Sequence, residues 1–118
     1  MKNTNTESTR YYSSLQENYV AKLFDGYANS SSGSGNFSKG DVIVKSASLL
    51  VECKTTLNEK ESFSIKREWL TKNKGEAFAM RLDNSCLAFN FAPNTPNYYV
   101  IDEKMMKFLV EKLKEEAK

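Results

Sequence analysis

Two short apolar runs only a few residues apart constrain this chain more than any other feature. Val42-Ile43-Val44 and Leu49-Leu50-Val51 are built mainly from branched side chains that suit a pleated surface, and only residues 45–48 separate them. Such runs joined by a short turn predict a β-hairpin over residues 41–45 and 49–54. Side chains alternate between faces along a strand, so Glu52 and Lys54 point to one face while Val51 and Cys53 point to the other. Asp41 opens the first strand and, across a turn of that length, comes level with Glu52 on the shared face. Two carboxylates and an ammonium are predicted to converge.

Two carboxylates packed on a half-buried sheet repel each other unless a cation sits between them. Mg²⁺ meets that need, because it takes oxygen ligands and is usually held by one or two carboxylates plus substrate phosphate oxygens. Mn²⁺ is an alternative. With Lys54 placed to orient a water or offset negative charge, the trio suits phosphodiester hydrolysis.

Composition narrows the chemistry further. The 118 residues contain no histidine, which removes Ser-His-Asp and Cys-His nucleophilic catalysis and every imidazole base or ligand. Cys53 and Cys86, the two cysteines, each sit in an apolar run where a reduced thiol behaves as a small hydrophobe, so neither a disulfide framework nor a zinc site is expected. A formal net charge of +2 says little about nucleic acid. Its distribution says more: from Lys39 to Arg81 there are nine basic and six acidic residues, and two of the six are Asp41 and Glu52. No run of roughly 18 apolar residues is present to span a bilayer and the polar N-terminus has no signal-peptide core, so a cytoplasmic protein is expected.

The length suits one domain, expected over residues 13–118 behind a flexible tail of residues 1–12. Ser14 and Glu17 form a capping box at the head of a first helix, with Leu15, Tyr19, Val20, Leu23 and Phe24 at helical spacing until Asp25-Gly26. Residues 29–40 are small, polar and glycine-bearing, predicting a surface loop. After the hairpin, the alternation in Ser62-Phe63-Ser64-Ile65 predicts a third, half-exposed strand. A helix is predicted over residues 66–82 with Trp69, Leu70, Ala77 and Phe78 buried, followed by strands at 86–91 and 98–101. Asp102 caps a last helix whose apolar side holds Met105, Met106, Leu109, Val110 and Leu113. The order α-β-β-β-α-β-β-α predicts an α/β (α+β) fold, a mixed sheet with helices packed against it.

Gly40-Asp41 followed by Glu52-Cys53-Lys54 resembles the D-x(~10)-(E/D)-x-K signature of the PD-(D/E)xK nuclease superfamily, with glycine where proline is often seen. The order of Gln16-Glu17, Ser32-Gly33-Ser34-Gly35, Asp41 and Glu52-Cys53-Lys54 is similar to that of its Holliday junction resolvases. Lys54-Thr55-Thr56 and the stretch from Ser62 to Lys66 before Trp69 also look like small phage-type members. The resemblance covers roughly residues 13 to 101 and implies a restriction-endonuclease-like core, α-β-β-β-α-β, with an extra strand and a C-terminal helix.

It further implies Asp41 and Glu52 as metal ligands, Glu17 as a third carboxylate, and Lys54 as the catalytic lysine. Ser32, Ser34, Lys39, Ser64 and Lys66 become candidate DNA contacts. The implied protein is a homodimer acting on four-way DNA in a bacterial or phage-infected cell, since paired cuts in a two-fold junction need two sites related by a matching axis. For Glu17 the capping box is a sufficient explanation without catalysis. A nicking, repair or restriction-like nuclease of the same fold, or a DNA-binding module that does not cleave, are the competing readings.

Overall fold

A computed structural model describes residues 4–29 and 41–118, with only the backbone of residues 4–9. The chain is a mixed α+β fold of three helices and one five-stranded sheet among the described residues. The order is α1 (Thr4–Phe24), β1 (Tyr27–Ala28), β2 (Asp41–Val44), β3 (Leu49–Lys54), α2 (Arg67–Ala79), β4 (Asn84–Phe89), β5 (Tyr98–Val100) and α3 (Glu103–Glu116). Strands lie in sequence order; only β3 and β4 are parallel, and α2 makes the crossover between them.

The predicted hairpin is present. Its turn is a single 3₁₀ stretch, Lys45–Ala47, ended by Ser48 in the left-handed region (φ 51°). Each face of the sheet has its own core. On the α1 side, Val20 and Ala21 pack on Val42, Val44, Val51, Cys53, Cys86 and Ala88; on the α2 side, Ile43 and Leu50 pack on Ala77, with Leu82 beside them. Burial of each larger aliphatic side chain contributes roughly 1.5–3 kcal/mol. Both cysteines are buried free thiols, as expected. Among the described residues no helix is long and apolar enough to cross a membrane.

Four expectations are corrected. α1 starts at Thr4, well before Ser13, so Ser14 and Glu17 lie inside the helix and form no cap. Among its described side chains Gln16, Val20 and Ala21 are buried, whereas Tyr19, Leu23 and Phe24 are exposed. Residues 62–65 form no strand, because the free edge of β3 is taken by β4 over the full length from Leu49↔Asn84 to Lys54↔Phe89. Their alternation instead turns Phe63 and Ile65 inward and Ser62 and Ser64 outward, with the Phe63 ring 5.1 Å from Phe89 and 6.2 Å from Trp69. Phe78 is 84% exposed, since the α2 residues that meet the sheet are its neighbour Ala77 and Asn73, whose Nδ2 donates to the Cys86 carbonyl at 2.9 Å. Finally, α3 buries no residue, and Met106, Leu109 and Leu113 face solvent, although Asp102 caps it as predicted by accepting from the Met105 N–H at 2.9 Å.

Two glycines make opposite predictions. Gly26 follows α1, donates to the Ala21 carbonyl at 2.8 Å, and passes so close to β2 that an added Cβ would stand 2.4 Å from the Ile43 carbonyl oxygen. Gly75 sits inside α2, where an added Cβ has nothing within 4 Å. Urea unfolding should show Gly26→Ala less stable by at least about 1–3 kcal/mol and Gly75→Ala more stable by about 0.5–1 kcal/mol.

Candidate active site

The hairpin register sets the site. Asp41 and Glu52 are direct cross-strand partners, 1% and 3% exposed. Two residues along their strands, Ile43 and Leu50 pack under α2, so both carboxyl groups lie on the α2 face of the sheet. Lys54 shares that face. Its Nζ lies 3.2 Å from Glu52 Oε2 and 4.4 Å from the centroid of the Trp69 ring, where the π face attracts the ammonium. The three hairpin residues predicted to converge are therefore brought together.

Lys54 answers only one oxygen of Glu52. The other, Oε1, is buried and has no hydrogen-bond partner among the described residues. A buried carboxylate oxygen left in that state costs on the order of 1–3 kcal/mol or more, and a hard cation would remove the penalty. Two oxygen-donor side chains on adjacent strands fit Mg²⁺ or Mn²⁺, because Mg²⁺ fills the rest of its octahedron with water and phosphate oxygens.

Glu17 approaches from elsewhere. It projects from α1, which covers the opposite face of the sheet, and partial burial raises its carboxyl above the ordinary range. Its negative charge nevertheless reaches the hairpin. Burial above all, with negative charge from Glu17, Asp41 and Glu52 adding to it, pushes the Cys53 thiol far up. Among the described residues no group of three or more His, Cys, Asp or Glu side chains is arranged to hold a metal ion. Burial also pushes Cys86 up to about 12, leaving both thiols protonated and unreactive at neutral pH.

Of the candidate DNA contacts, Ser32, Ser34 and Lys39 lie outside the described residues. Ser64 is exposed on the segment leading into α2. Lys66, at the N-cap of α2, places its Nζ 5.8 Å from the Trp69 ring, so Lys54 and Lys66 share one aromatic platform. Trp69 was expected in the core and is instead half-buried against the lysine of the site. The available signal was its position three residues after Lys66 at a helix start, which puts both on one helix face.

The raised carboxyl of Glu17 gives a signed pH prediction. A group whose folded-state pKa is raised disfavours folding once it ionises: its contribution is intact below the ordinary value of 4.5 and is lost as pH rises through the folded-state value. Glu17→Gln should therefore unfold at higher denaturant than the native chain at neutral pH. The two denaturation midpoints should meet as the pH falls to 4.5 and below; a gap that is constant with pH would contradict this account.

Comparison with protein-family models, with curated proteins and with solved structures found no match to this chain.

Proposed function

We propose that the chain is a metal-dependent, structure-selective DNA endonuclease, a Holliday junction resolvase of the PD-(D/E)xK type with a restriction-endonuclease-like core. The observation that supports this reading is the buried pair Asp41 and Glu52, opposite each other, with Lys54 at 3.2 Å from Glu52. A sheet gains nothing in stability from two acids facing each other out of water; the arrangement makes sense as a seat for a cation and a phosphate.

In this reading Asp41 and Glu52 hold Mg²⁺ or Mn²⁺, and Glu17 adds negative charge from across β3. When bound, the ion supplies Lewis acidity toward phosphate oxygens. The remaining work falls to the chain. Lys54 has its amine fixed between Glu52 and the Trp69 ring, so its N–H groups are aimed before substrate arrives and can steady the attacking water or the charge that builds on the phosphate. Lys66 adds a second positive charge near the same ring, available to a phosphate of the DNA backbone. Cleavage of both halves of a junction calls for a homodimer.

The test is cleavage of a labelled four-way DNA junction in Mg²⁺, with linear duplex of equal length as competitor. Paired symmetric cuts are expected, abolished by EDTA and reduced at least about 100-fold in Asp41→Ala and in Lys54→Met, since removing one contributor to transition-state charge balance costs several kcal/mol. Equal cleavage of duplex would redirect the reading to a nicking or restriction-like nuclease. Absence of cleavage by a folded native chain would overturn it in favour of DNA binding without hydrolysis.

A further inference from the structure

At the carboxyl ends of the parallel strands β3 and β4, on the α1 side, lies a cavity of about 330 Å³ that the site described above does not use. It is at the small end of the range for ligand pockets, suited to a single flat ring system. Its position is the one where open sheets with parallel strands offer ligand sites.

The lining has a definite chemical character. Tyr12 and Tyr19 supply aromatic rings, Leu15 and Pro96 apolar contact, and Gln16, Asn90 and Asn97 a floor of side-chain amides; among the described residues no charged side chain lines it. Tyr12 is braced by Tyr11, their ring centroids 5.2 Å apart and edge to face. The amides are wired together: Gln16 Nε2 donates to Asn97 Oδ1 at 3.0 Å, Asn90 Nδ2 donates to the same oxygen at 3.3 Å, and Thr55 Oγ1 donates to Asn90 Oδ1 at 2.7 Å. Gln16 Nε2 also reaches the carbonyl of Lys54 at 2.8 Å, which ties this floor to the very residue whose amine meets Glu52. Gln16 is only 6% exposed, and its Oε1 has no hydrogen-bond partner among the described residues.

Rings that stack and amides that both donate and accept are the groups that recognise an uncharged heteroaromatic ring with alternating donors and acceptors at its edge. We propose that this cavity holds one unstacked nucleobase of the DNA. The inference rests on the nuclease reading, which supplies the reason for DNA to be there, and deepens it: a base can enter only once it has left the stack, so the preferred substrate carries a nucleotide that is unpaired or easily unpaired, held on the α1 side of the sheet while Asp41 and Glu52 lie on the other. The hydrogen bond from Gln16 to the Lys54 carbonyl joins the floor of the cavity to the end of the strand that carries the lysine.

The probe is a single-stranded oligonucleotide carrying 2-aminopurine, with Ca²⁺ in place of Mg²⁺ and the strand checked intact on a gel afterwards. Its fluorescence should be quenched on binding, by stacking on tyrosine, and the matched duplex should bind more weakly. Tyr19 is 58% exposed, so Tyr19→Ala leaves the core alone; it should weaken binding about tenfold or more, and Tyr19→Phe should restore it. Equal affinity of native and Tyr19→Ala proteins, or no binding of the single strand by the native chain, would overturn the pocket assignment. Junction cleavage is scored separately. Cleavage without base capture sinks this inference alone, and base capture without cleavage sinks the nuclease reading alone.

Discussion

The register of one hairpin is the constraint on which the rest depends. Because side chains alternate with period two, a slip of a single residue between β2 and β3 would put Asp41 on one face and Glu52 with Lys54 on the other. The turn that prevents it is unusually well tied. Ser48, in the left-handed region, closes the turn by donating its N–H to the Lys45 carbonyl, and its Oγ exchanges hydrogen bonds with the carboxylate and the N–H of Asp83. Asn84 then opens β4 by donating its N–H to the Ser48 carbonyl at 2.8 Å. The same few residues thus fix the antiparallel register of β2 with β3 and the parallel register of β3 with β4.

That register divides the sheet by chemistry. The α1 face is packed along its length with Val42, Val44, Val51, Cys53, Cys86 and Ala88. On the α2 face, apolar contact centres on Ile43, Leu50 and Ala77, and beyond Leu50 the strand carries Glu52 and then Lys54. Hydrophobic burial on one side therefore supports buried charge on the other, the pattern in which a functional site draws on stability supplied elsewhere. Trp69 closes the arrangement by covering the lysine, and its ring belongs to a chain of aromatic contacts through Phe63, Phe89 and Phe91.

Much of this is legible from residue order because local rules and tertiary packing agree. The hairpin, α2, β4, β5 and the Asp102 cap all follow from branched runs, helical spacing and capping chemistry. The misses occur where the packing environment decides. The alternation of Ser62 to Ile65 reads as a strand, yet a strand needs a free edge, and β4 holds it. Phe78 and Ala77 cannot be ranked for burial without knowing how closely α2 approaches the sheet. Gln16 shows a signal that was readable: it stands four residues before the fully buried Val20, so a polar amide on the inward stripe needed partners, and it finds them in Lys54 and Asn97. β1 is only two residues long and gave no period to read.

Whether Asp41 and Glu52 form a seat for a hard divalent cation, as proposed, is tested by Mn²⁺ without reference to any substrate. The paramagnetic resonance of free Mn²⁺ is lost on binding, so titration counts bound ions directly. The account predicts saturable binding by the native chain, displaced by Mg²⁺ and weakened at least about tenfold in Glu52→Gln, whose fold is checked in parallel, because affinity for such ions follows ligand charge. Binding that does not saturate, or that Glu52→Gln leaves unchanged, would contradict it.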